Sequence, residues 1–154
     1  DLGKGSTPPE LWPKHHGHEA KSVDLVRRLC ARVRVPADCR DLAIIVARDH
    51  GNVHHALELR PATIVTLLER VDALRRPQRF TEMLQACECD FHGRPGWEDK
   101  PYPQAKYLRE ALEAVQQVDA AEIARAEPNR IKEKLHQARV AAVTAWRAAL
   151  ASQG

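Results

Sequence analysis

Two polar residues stand where a helical sequence keeps its apolar side chains. Leu42, Ile45 and Val46 recur at three- and four-residue steps, and the same step reaches Asp49 and His50. Ile64, Leu67, Leu68 and Val71 form a second stripe, whose next position, four after Leu68, is Asp72. A carboxylate on an inner helical face is costly unless it is paired or bound to a metal. Asp72 is therefore either a metal ligand or the partner of Arg75, Arg76 or Arg79. Near neutral pH an imidazole can donate to a phosphate oxygen or protonate a leaving group. His50 is a candidate for either task, and a satisfied core histidine is its other reading.

The remaining candidates are weaker one by one. His15-His16-Gly17-His18-Glu19 gathers three imidazoles where a helix should begin. His15 and His16 read as loop or cap residues, and His18 as the member closest to the helix proper. His54 and His55 read as surface residues of a connection over 52–60. Asp90 competes with Asp72 for a ligand role but lies off the main stripe of its helix. Gly3-Lys4-Gly5 has too few glycines for a phosphate loop and reads as a flexible turn.

The elements that must position these groups are helical. Val23, Val26, Leu29, Cys30 and Val33 predict a helix from about His18, and Pro36 suits the first turn of the next. Pro61 opens a third helix. Beyond Pro77, residues Phe80, Met83, Leu84, Cys87 and Phe91 predict a fourth. A loop rich in Gly and Pro runs from Gly93 to Pro103. Tyr107, Leu108, Leu112, Val115 and Val118 predict one more helix. After Pro128 a long last helix carries Ile131, Leu135, Ala138, Ala142, Ala145, Trp146 and Ala149 on one side, with Arg130, Lys132, Lys134 and Arg139 on the other. Residues 1–14 read as a loop that leaves a helix lying upstream. No strand alternation of useful length appears, so the fold class is all-α, with five or six helices and a helical tail.

Composition agrees. Seven glycines and 5% aromatics in 154 residues suit a helical domain with a small appendage. A net charge of +3 permits nucleic-acid contact without demanding it. The four cysteines, Cys30, Cys39, Cys87 and Cys89, include no pair at zinc-knuckle spacing. Free thiols and the lack of an 18-residue apolar run point to a cytoplasmic chain with no membrane span.

Taken together, Asp1-Leu2-Gly3-Lys4-Gly5, Thr7-Pro8-Pro9-Glu10-Leu11-Trp12-Pro13, the histidine cluster, Asp49-His50-Gly51 and Asp72-Ala73-Leu74 resemble the metal-dependent phosphohydrolase (HD) fold named for its His-Asp dyad. The resemblance is to one branch, the C-terminal half of the bacterial CCA-adding tRNA nucleotidyltransferases, and runs from residue 1 to about Tyr107. It implies an HD-type helical core over 1–92 and a C-terminal helical tail over 93–154. It makes Asp1 the dyad aspartate, with the dyad histidine expected just upstream. Asp1 and Asp72 would then be ligands of a divalent metal, magnesium or nickel, and Lys4, His18 and His50 would serve phosphate binding and proton transfer.

In such enzymes an N-terminal polymerase head adds C, C and A to tRNA. The HD part is associated with 2′,3′-cyclic phosphodiesterase, 2′-nucleotidase and phosphatase activities. The partners implied are tRNA, 2′,3′-cyclic or 2′-phosphorylated nucleotides and that head, in a monomer or homodimer. The alternative is a catalytically silent module that docks tRNA or organises a dimer.

Overall fold

The computed structural model describes residues 2–152. Asp1, the proposed dyad aspartate, lies outside the described residues. Among those described there are seven α-helices, three short 3₁₀ turns and no strand; the all-α class is the one the apolar spacing predicts. The helices are α1 (His18–Arg32), α2 (Ala37–His54), α3 (Pro61–Arg70), α4 (Pro77–His92), α5 (Gln104–Gln116), α6 (Ala120–Ala126) and α7 (Ile131–Ala151). The 3₁₀ turns are Leu2–Ser6, Pro9–Leu11 and Ala56–Glu58. No helix among the described residues is long and apolar enough to cross a membrane.

Three local features differ from the sequence reading. α2 runs on through Asn52 to His54, because Val53, with no exposed surface, anchors its last turn. α6 was not anticipated. Its start is set by Asp119, whose side chain accepts from the amides of Ala121 and Glu122 at 2.9 Å each. Asp119 followed three residues later by Glu122 is a capping-box pattern that could have revealed it.

The third difference concerns Asp72. α3 ends at Arg70, the Ala73 amide donates to the Leu68 carbonyl at 2.9 Å, and the Asp72 amide donates to Glu69 at 3.1 Å. Asp72 occupies the left-handed position of this Schellman closure, with φ of 60°. It therefore does not extend the inner face of α3. The same closure ends α1, where Arg34 has φ of 52° and the Val35 amide donates to Cys30 at 3.0 Å.

The chain divides into two compact units, each built from two stretches of sequence. The first contains the described residues up to His54 together with Thr81–Lys100. In it α1 packs against α2 and against the Leu2–Ser6 turn. Val23, Cys30, Ile45, Val53, Met83, Leu84 and Cys87 are buried there. The second contains His55–Phe80 and the chain from Pro101. Within it α3, α5 and α7 pack pairwise, α6 lies against α7, and the Ala56–Glu58 turn meets α5. Ile64, Leu67, Leu68, Phe80, Leu108, Val115 and Val143 are fully or almost fully buried. Each such side chain contributes about 1.5–3 kcal/mol by leaving water.

On α7 the fully buried position is Val143, which the expected Ile131–Ala149 stripe omitted, whereas Ile131 is exposed. Trp146 packs its ring 4.8 Å from that of Tyr107. Farther along the same helix, Arg139 and His136 both reach Glu69 of α3, at 2.7 and 2.8 Å. Burial alone would raise the Glu69 carboxyl, but hydrogen bonds from Arg139 and His136 outweigh it and hold the group below its ordinary value.

Candidate functional site: a row of imidazoles in the first unit

The N-terminal segment is not a loose loop. Gly3 donates its amide to Ser22 Oγ of α1 at 2.9 Å, in a buried contact. A Cβ on Gly3 would come 2.8 Å from the Ser22 nitrogen, so only glycine allows this approach. Lys4 sits half-buried in the same turn, and its carbonyl accepts from the Thr7 amide at 3.0 Å. Gly17, in the left-handed region at φ of 72°, then turns the chain into α1, so that His18 becomes the first helical residue.

Two histidines are pinned in the same way. His18 Nδ1 lies 2.7 Å from the His15 carbonyl, and His50 Nδ1 lies 3.0 Å from the Val46 carbonyl. A carbonyl only accepts, so each Nδ1 carries the proton and donates. In both neutral rings Nε2 is then the basic atom. The two rings are 5.9 Å apart, edge to face. His15 lies 6.4 Å from His18 on one side, and His54 lies 5.9 Å from His50 on the other.

The row ends on a carboxylate. His54 Nε2 donates to Asp90 Oδ2 at 3.0 Å, and Arg94 Nη2 donates to the same oxygen at 3.2 Å. The expected surface placement of His54 is corrected here: its side chain is 14% exposed, because α2 continues through it and faces α4. His55 is exposed, 3.5 Å from Glu58, and His16 is exposed too. The i, i+4 spacing of His50 and His54 was a usable signal, since on a continuous helix it puts both rings on one side. Asp49, beside His50, is completely buried, with Arg48 Nε 2.7 Å from its Oδ2.

Burial is the main influence on two of these rings. Desolvation pushes His50 below its ordinary value, against the opposing pull of the Val46 carbonyl and the Asp90 charge, and His18 adds repulsion. Desolvation likewise lowers His54, with Asp90 again pulling upward and Arg94 adding to the lowering. Burial would raise Asp90, but Arg94 and His54 donate to it and leave it below the usual carboxylate range. The nearby Cys87 thiol is pushed up to about 12, first by burial and then by Asp90 and Asp49. At neutral pH His50 and His54 therefore stand as neutral imidazoles beside the ionised Asp90 carboxylate, an arrangement that can accept a proton and then donate it.

Asp72 belongs to the second unit. Its carboxylate receives Arg75 Nε at 2.7 Å and Nη2 at 3.1 Å, with Arg76 Nε at 3.6 Å. The Arg75 hydrogen bond, followed by the charges of Arg75, Arg76 and Arg79, lowers its carboxyl against a small desolvation penalty. The ion-pair reading of Asp72 is thus the geometry formed. Among the described residues no three His, Cys, Asp or Glu side chains group to hold a metal ion. The described residues do not by themselves fit the divalent ion that the resemblance implies, and no chemical step is routed through one below.

The basic side of α7 is largely neutralised within the chain. Arg130 pairs with Glu133 at 2.7 Å, Lys134 with Glu127 at 3.4 Å and Arg139 with Glu69. That leaves little of an open phosphate track there.

Three curated relatives place the chain among known proteins. It is 57% identical over 150 residues to a multifunctional CCA protein of Herminiimonas arsenicoxydans, covering 93% of this chain and 36% of that protein. A multifunctional CCA protein of Nitrosospira multiformis is 62% identical over 125 residues, 81% of this chain and 30% of the relative. That of a Janthinobacterium species is 57% identical over 152 residues, 94% of this chain and 36% of the relative. The match falls in the C-terminal part of these proteins, so the chain spans about a third of their length. No family model and no solved structure matches it.

Proposed function

Because this chain is a homologue of the C-terminal part of the multifunctional CCA proteins, we propose that its first unit recognises and hydrolyses phosphate esters at ribose 2′ and 3′ oxygens. The substrate class is 2′,3′-cyclic and 2′-phosphorylated nucleotides, free or at the end of tRNA. The observation that carries this is the pair His18 and His50, each with Nδ1–H on a backbone carbonyl and therefore Nε2 as its working atom, 5.9 Å apart by ring centres. Two imidazoles at that distance can flank one phosphate group, one donating as imidazolium and one accepting.

In hydrolysis of a cyclic phosphate, water adds to phosphorus and the bond to one ribose oxygen breaks. A neutral imidazole takes the water's proton, and an imidazolium protonates the departing oxygen. His50, lowered by burial, is the base near neutral pH. Lys4, in the turn against α1, is assigned to the substrate's negative charge. Addition of C, C and A is assigned to an upstream head that nothing in this chain resembles.

The test is binding and turnover. Inorganic phosphate added to the purified chain should shift the His18 and His50 ring resonances, and His50→Ala should abolish saturable binding. In a chain extended upstream as in the relatives, 2′,3′-cyclic AMP should be hydrolysed, with His50→Ala lowering kcat. Phosphate binding that is indifferent to His50→Ala and to a His18→Ala variant would sink the assignment.

A further inference from the structure

The loop between the Pro9–Leu11 turn and His15 presents a tryptophan to solvent. Trp12 is 62% exposed and the adjoining Leu11 is 51% exposed. An indole of that size is usually covered, since its burial is among the larger favourable contributions in a fold. The other two tryptophans are engaged, Trp97 by Phe91 at 4.7 Å and Lys100 at 4.3 Å, and Trp146 by Tyr107 at 4.8 Å. Trp12 is nevertheless held. Its Nε1–H donates to the Thr7 carbonyl at 3.1 Å and its amide to the Pro9 carbonyl at 3.1 Å. The polar edge is thus turned toward the protein, and the ring is presented as a fixed plane.

Two further observations bear on a ligand beside it. Thr7 is only 7% exposed, and its hydroxyl has no hydrogen-bond partner. His15 Nδ1 is buried and likewise unpartnered. Buried polar atoms are normally satisfied, and these two bracket Trp12 in sequence. Cations are close along the chain: Lys14 is exposed, and Lys21 Nζ lies 3.5 Å from the Ser6 carbonyl. His15, whose carbonyl holds His18 Nδ1, is three residues from Trp12, so their Cα atoms are at most about 11 Å apart. The His15 ring in turn lies 6.4 Å from that of His18, so the loop that carries Trp12 runs directly into the imidazole row.

We propose that Trp12 is a stacking platform for the nucleobase of a nucleotide whose ribose phosphate lies at His18 and His50. This rests on the phosphate reading above and adds the base subsite to it. Stacking on an indole is tolerant of base identity, so the subsite selects nucleotides over simple phosphate esters without selecting among bases.

Calorimetric titration of the whole chain tests it, with adenosine 2′-monophosphate and inorganic phosphate as the two probes. Trp12→Ala should weaken the nucleotide by roughly 5- to 150-fold, the span of one lost base stack, and leave inorganic phosphate unchanged. Trp12→Phe, which keeps a ring, should retain most of the affinity. His50→Ala should weaken both probes. Nucleotide binding undiminished in Trp12→Ala, with phosphate binding intact, overturns the base subsite and leaves the phosphate site standing. Equal loss of both probes in Trp12→Ala also overturns it, because the effect is then general to the loop. Failure of both probes to bind the unaltered chain overturns the subsite and the phosphate reading together.

Discussion

Replacing Asp90 by alanine removes the acceptor on which the imidazole row ends. In the intact protein one oxygen receives both His54 Nε2 at 3.0 Å and Arg94 Nη2 at 3.2 Å. A hydrogen bond to a charged group contributes about 1.5–3 kcal/mol when shielded. Asp90 is 44% exposed and Arg94 is exposed, so the Arg94 contact counts as a surface pair, worth about 0–1 kcal/mol. The His54 bond, on a ring 14% exposed, dominates at the lower end of its range. The expected loss is about 1.5 kcal/mol, or a Tm fall of about 3–6 °C for a chain of this size.

The pH dependence supplies the sharper sign. Asp90 pulls the His54 and His50 values upward against burial, so its removal must drive both further below the ordinary 6.5. A histidine lowered on folding contributes least to stability below its unfolded value, where the unfolded chain takes up more protons. The Asp90→Ala deficit should therefore grow as pH falls from about 7 toward 5. Ring-proton NMR titration and thermal melts at several pH values measure both effects. A His54 value that rises in the variant, or a Tm deficit constant from pH 7 to 5, would refute the reasoning.

Other outcomes follow from single contacts. Gly3→Ala forces a Cβ to within 2.8 Å of the Ser22 nitrogen and should destabilise by about 1–3 kcal/mol; an unchanged melting temperature would count against the close approach to α1. Glu69→Ala should destabilise at pH 7 by about 1 kcal/mol once solvent screening at a group 30% exposed is allowed for. Because the Glu69 value is lowered on folding, that deficit should vanish as pH falls below the ordinary 4.5, and a deficit persisting in acid would contradict the ion-pair account. With a thiol reagent at pH 8, exposed Cys39 and Cys89 should react quickly while Cys87, with its thiol at about 12, and buried Cys30 should react slowly. Rapid labelling of Cys87, read by mass spectrometry, would show that the first unit opens there.

Periodicity and proline placement were enough to read the all-α class and the starts of α1 to α4, because amphipathic spacing and a missing amide act within one turn. The inward direction of His50 was legible for the same reason, since it continues the Leu42–Val46 stripe. The resemblance to the C-terminal part of the CCA proteins was legible too, and the relatives bear it out at 57–62% identity. What sequence spacing alone could not decide was where each helix stops. Asp72 looked like an inner-face carboxylate only while α3 was extended past Arg70; the left-handed closure at Asp72 turned it toward Arg75 instead. His54 looked exposed only while α2 ended before it. Its bond to Asp90 joins positions 36 residues apart, and a contact between two helices has no period along one of them. Gly3 looked like a flexible turn until α1 stood against it. Helix periodicity is a local property of the backbone, whereas the ends of helices and the partners of polar side chains are set by packing between distant segments, which only the folded chain brings together.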